Sequence, residues 1–107
     1  MAETRLSLQM PLEHPCFSGH FPGQPIVPGV MLLDDVLQAI EQQMPEFGLF
    51  SNGSADIPVC KFLAPVFPGA CLSLTLTWEG NSTPLTFKLH QAGQLVTSGS
   101  LRAGKSP

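Results

Sequence analysis

Apolar and polar residues alternate at the front of the chain. In "RLSLQM", Leu6, Leu8 and Met10 are separated by polar neighbours, and this period of two predicts a half-buried strand. The pattern then stops. Pro11, Pro15, Pro22, Pro25 and Pro28 stand with Gly19 and Gly23 in the next stretch, a density that rules out regular helix or central strand. Irregular segments of this length are uncommon in compact domains and usually serve function. From Pro28 or Gly29 the spacing becomes helical through "VMLLDDVLQAIEQQM", with Val30, Leu33, Val36, Leu37, Ile40 and Met44 in one stripe. Proline is tolerated in a first turn, and Pro45 stops the helix at Met44. The first turn is apolar nearly all round, which predicts a helix buried at its N-terminal end. After a Gly/Ser/Asn loop, "DIPVCKFL", "CLSLTLTW", "PLTFKLH" and "QLVTSGSLR" read as strands, the second with Leu72, Leu74, Leu76 and Trp78 on one face. The short polar links "EGNS" and "QAGQ" predict antiparallel hairpins. One helix against an antiparallel sheet defines an α+β domain.

Composition narrows this picture. A chain of 107 residues is one domain, 1–107, close to the size at which a single core is adequate but not generous. With 43% hydrophobic and 12% charged residues, the surface is lean in charge, which points to burial in an oligomer. The net charge is −3, and Arg5, Lys61, Lys88, Arg102 and Lys105 form no run. A basic nucleic-acid-binding face is therefore not expected. Cys16, Cys60 and Cys71 form no CxxC pair, and "MAETRLSLQM" does not read as a secretory leader. Together these imply a reduced, cytoplasmic protein. The apolar run from Val30 to Leu33 is far too short to span a bilayer.

Three features carry candidate chemistry. His20 lies in the proline-stiffened loop, and histidine has the resting pKa that suits proton abstraction near neutrality. A loop held by prolines positions a side chain at lower entropic cost. Asp34 and Asp35 fall in the second turn of the helix. Asp35 reads as a surface residue favoured by the helix dipole. One of the pair, in apolar surroundings, suits a carboxyl of raised pKa that donates a proton, and periodicity does not choose between them. Gly29 opens the helix, where unpaired backbone N–H groups can meet a substrate oxygen closely. A base, an acid and an anion site are the parts needed to remove a proton beside a carbonyl and expel a neighbouring hydroxyl.

The segment "GHFPGQPIVPGVMLLD" closely resembles the signature of the (3R)-hydroxyacyl-[acyl-carrier-protein] dehydratases, in which a histidine opens the motif and a carboxylate closes it. "CKFLAPVFPGACLSLTL" resembles a second stretch of the same family, and two ordered motifs form a specific signal. The resemblance implies a hot-dog fold, an antiparallel sheet wrapped around a long central helix, and a homodimer or a higher oligomer of dimers. It also implies active sites at the dimer interface, where His20 of one subunit faces Asp34 of the other. A heterodimer with a related hot-dog chain is a further expectation. The implied substrate is a 3-hydroxyacyl thioester on acyl carrier protein, the product is the trans-2-enoyl thioester, and no cofactor or metal takes part. By the same resemblance Gly29 supplies the oxyanion N–H, Gln38 orients Asp34, and Phe17, Phe21, Val27, Pro28, Phe62 and Pro65 are candidates for the acyl tunnel.

Asp34 stands where the housekeeping enzymes carry glutamate, as in the dehydratase/isomerase branch and in some polyene-pathway dehydratases. The short chain lacks the N-terminal extension of many relatives, which fits accessory dehydratases of polyketide-like or aryl-polyene pathways. Leu63 and Ala64 replace residues that are often basic, which leaves Lys61, Arg102 or a different carrier to account for docking.

Other chemistries are weaker. His14, Cys16 and His20 could ligate zinc, but no second ligand pair follows. Cys16 as a nucleophile beside His20 lacks a marked second oxyanion donor. A hot-dog thioesterase and a non-catalytic hot-dog partner remain as alternatives. Activity that survives loss of His20 marks the first, and absence of any hydration or dehydration marks the second.

Overall fold

The computed structural model describes residues 2–11, 26–51, 53–79 and 84–104. In chain order come β1 (Ala2–Gln9), α1 (Gly29–Gln43), a single 3₁₀ turn (Pro45–Phe47), β2 (Ala55–Phe62), β3 (Cys71–Trp78), β4 (Leu85–Gln91) and β5 (Gln94–Ala103). The strands form one sheet in the order β1-β3-β4-β5-β2, antiparallel at every step. Most of the proline-rich stretch, residues 12–25, lies outside the described residues.

Alternation builds the core. Leu72, Leu74 and Leu76 of β3 and Leu85, Phe87 and Leu89 of β4 are buried, while the residues between them are exposed or half-buried. Full burial of each such side chain stabilises the fold by about 1.5–3 kcal/mol. Trp78 ends this row half-buried and meets Phe47 edge-to-face at 4.8 Å between centroids. Gly99 of β5 keeps β2 close. A Cβ there would strike the Val59 carbonyl oxygen and come within 2.8 Å of the Phe87 ring. Between β4 and β5 the turn residues Ala92 and Gly93 both have positive φ, 50° and 82°, as a type I′ hairpin turn requires.

The helix buries a different face from the one its apolar spacing suggests. Leu32, Val36, Ala39 and Ile40 are buried, Leu33, Leu37 and Met44 are only partly so, and Val30 is 81% exposed. The expected burial of the N-terminal end is therefore not achieved within one chain. The sheet claims the Leu32–Val36–Ile40 side of α1, so the extra apolar residues of the first turn face outward. They share this exposure with Ile57, Val59, Phe62 and Leu63 on and just after β2, an edge strand with one side unpaired in the sheet. An apolar patch along an open sheet edge is characteristic of an interface.

Candidate active site

Pro28 is the N-cap of α1, with extended backbone angles and no side-chain cap. Its carbonyl accepts from the N–H groups of Met31 and Leu32 at 3.1 and 3.2 Å. The N–H groups of Gly29 and Val30 belong to the first turn and have no acceptor within the helix. Ahead of the cap, the Val27 N–H donates to the Val66 carbonyl at 2.8 Å, tying the start of α1 to the segment after β2.

That tie places Phe62 over the helix end. A Cβ on Gly29 would lie 2.7 Å from Phe62 Cζ, so only glycine lets the ring rest against the first turn. Around this contact runs an apolar groove of about 650 Å³, lined by Val27, Gly29, Leu33, Phe62 and Pro65 among others. Val27, Gly29, Phe62 and Pro65 are thus brought together, while Pro28 stays out of the groove wall.

Asp34 faces elsewhere. Five residues after Gly29, it is rotated by about 140° around the helix. It lines a cleft of about 570 Å³ between α1 and β1, with Met31, Asp35, Gln38 and Gln42. Gln38 Nε2 donates to Asp34 Oδ2 at 2.8 Å, the reach expected one turn apart. Asp35, the next residue, is half-buried. Asp34 is exposed in the single chain, and its cleft also takes in Leu8, Met10 and Met31.

His20, Phe17 and Phe21 lie outside the described residues, as do His14 and Cys16. Among the described residues no group of three or more His, Cys, Asp or Glu side chains could hold a metal, and no helix is long and apolar enough to cross a membrane. Burial pushes the Cys60 thiol above its ordinary pKa, which makes it a poor nucleophile. Cys71 Sγ donates to Gln9 Oε1 at 2.7 Å.

The fold gathers basic residues that look scattered in the sequence. Cross-strand register aligns Arg5, Thr75, Lys88, Ser98 and Lys61 in one row across all five strands. Arg5, Lys88 and Lys61 are exposed, and because they share a row they lie on one face. Arg102, the other cation suggested for docking, lies 3.4 Å from Asp56 in an ion pair. Only the pairing of alternating strands exposes this row, and sequence order hides it.

An antiparallel sheet carrying one long helix, with the helix end turned to an apolar groove, defines the hot-dog fold. A solved structure of an uncharacterized protein from Erwinia carotovora subsp. atroseptica shares it at a TM-score of 0.72 and 30% identity, over 94% of this chain and 81% of that one. The dehydratase heterocomplex ApeI:P from Xenorhabdus doucetiae matches at a TM-score of 0.70 and 27% identity, over 94% and 85%. The model of the ApeI-like family, described as ApeI dehydratase, matches residues 1–100, and the chain belongs to this family. A curated relative, the 3-hydroxyacyl-[acyl-carrier-protein] dehydratase FabZ of Ehrlichia chaffeensis, is 36% identical over 93 residues, 83% of this chain and 65% of that protein. The chain therefore spans less than two-thirds of that relative's length.

Proposed function

We propose that the protein dehydrates a (3R)-hydroxyacyl thioester on acyl carrier protein to the trans-2-enoyl thioester, in a site built by two subunits. The observation that carries this reading is the division of α1 into a bare, apolar-lined N-terminus at Gly29 and a Gln38-bonded carboxylate at Asp34 on another face. Membership of the ApeI-like family supports the reaction class.

The His20 imidazole takes the proton from the carbon beside the thioester carbonyl. The electron pair moves onto the thioester oxygen, where the Gly29 N–H and the helix dipole stabilise it. As the pair returns to form the carbon–carbon double bond, the hydroxyl leaves with a proton from Asp34 of the neighbouring subunit, held by Gln38. Water and the enoyl thioester depart, and the imidazolium proton returns to Asp34 through solvent. The acyl chain lies in the groove against Phe62, and the row of Arg5, Lys88 and Lys61 offers an acidic carrier a complementary face. The exposed Val30, Val59 and Phe62 support dimerisation along the free edge of β2. Because the similar ApeI:P dehydratase is a heterocomplex, a second form of the assembly is favoured alongside the homodimer, in which the partner is a related chain. Aryl-polyene or other specialised biosynthesis is the setting that the Asp34 variant of the motif supports, and the unpaired cysteines favour the cytoplasm.

The test follows the enoyl chromophore of a 3-hydroxyacyl or crotonyl thioester with wild type, His20→Ala and Asp34→Asn. Near-complete loss in both variants is expected. Turnover that persists without His20 points to a thioesterase, and unchanged dehydration in both variants overturns the mechanism.

A further inference from the structure

Thr97 is the one buried polar side chain in the described core, with none of its surface exposed. Its hydroxyl is also the one buried side-chain polar atom among the described residues without a hydrogen-bond partner. A buried hydroxyl left unsatisfied destabilises a fold, and native proteins satisfy nearly all such groups. Its position gives the exception a purpose. Thr97 pairs with Phe62 on β2 and with Leu89 on β4, and directly opposed residues point to the same side of a sheet. Phe62 contacts Gly29 of α1 and Leu89 is fully buried, so that side is the helix-facing one. Just after Phe62, the N–H groups of Leu63 and Ala64 both reach the Val96 carbonyl, at 2.8 and 3.3 Å. Thr97 therefore stands directly behind the groove wall made by Phe62, Leu63 and Ala64.

Phe62 lines the groove and is the neighbour of Thr97 on that face of the sheet. It is 52% exposed, and Thr97 lies one strand spacing, about 4.8 Å, further along the sheet. We propose that Thr97 is a specificity-determining residue: when a bound acyl chain turns the Phe62 ring aside, the Thr97 hydroxyl ends the apolar groove and receives an oxygen substituent on the distal part of the chain, so that the site favours oxygenated over plain alkyl chains. This rests on the reading of the groove as an acyl site, but not on dehydration itself. A hydroxyl or ether oxygen of the ligand satisfies Thr97, whereas a methyl terminus leaves it unpaired.

Calorimetric binding of two hydrolysis-resistant pantetheine amides tests it, one with an alkyl chain and one of equal length with a terminal hydroxyl. The protein should bind the hydroxylated chain about tenfold more tightly, the difference made by one net hydrogen bond. Thr97→Val, which keeps the shape and removes the hydroxyl, should abolish or invert this preference, and Thr97→Ser should retain it. In the unliganded protein Thr97→Val should leave Tm unchanged or raise it, because no partner is lost. An unaltered preference in Thr97→Val, or equal binding of the two amides by wild type, overturns the proposal. So does a Tm lowered by several degrees, which would show that the hydroxyl is satisfied within the fold. Failure of the enoyl assay with intact discrimination between the amides contradicts the proposed reaction and leaves this assignment standing.

Discussion

The two sides of the first turns of α1 do opposite things. On one side Gly29 lacks a Cβ, Phe62 rests against the backbone, and the surroundings are apolar. On the other, Asp34 and Gln38 form an exposed hydrogen-bonded pair in a polar cleft against β1. About 140° around the helix separates the two sides, and they line different clefts. The difference fits the proposed reading, in which an assembly brings one chain's groove to another chain's carboxylate.

The polar side is the one whose loss should cost most. Asp34→Asn keeps the shape and removes the proton donor, so steady-state turnover should fall by about 10²–10⁴-fold. Circular dichroism and Tm should stay near wild type, since the residue is exposed. A smaller fall would move the general acid to another residue. Val30→Arg puts a charge into the patch that the assembly should cover. Desolvating an unpaired charge should weaken association by about 100-fold or more, visible as monomers in light scattering, with turnover lost in parallel. If Val30→Arg stays fully assembled, the interface lies elsewhere.

Two milder variants sharpen the contrast. Gly29→Ala pushes the Phe62 ring off the helix end; overpacking of this kind should raise KM about tenfold, with little change in Tm because the ring is half exposed. Gln38→Ala frees Asp34 to rotate. Loss of roughly 1 kcal/mol of hydrogen bonding should lower kcat about fivefold without moving KM. An effect confined to KM would make Gln38 a binding residue.

Much of the fold was legible because local rules and tertiary structure agree. "CLSLTLTW" is β3 from first residue to last, and Pro45 ends α1 within two residues of Gln43. Period-two alternation survives folding, since one sheet face is buried and a slip by one residue would invert it. The exposure of Val30 was not legible, because apolar spacing shows that a residue seeks cover without showing whether its own chain supplies it. Nor could order along the chain reveal that Phe62 packs on Gly29 or that Arg5, Lys88 and Lys61 share a row. Those depend on strand register. The motif spacing selected Asp34 over Asp35, and the structure shows Gln38 holding the Asp34 carboxylate. His20 carries the motif in sequence but lies outside the described residues.

The claim that two chains complete each site is tested most directly by mixing inactive variants. His20→Ala and Asp34→Asn are each purified, combined, and allowed to exchange subunits through mild denaturation and refolding. A mixed dimer joins the intact His20 of one chain to the intact Asp34 of the other in one of its two sites. Random exchange should therefore restore about a quarter of wild-type activity, as the symmetry of a two-fold dimer dictates. Activity that stays at the level of the separate variants, after exchange is confirmed by mass, would place both residues in a site within one chain and contradict the account.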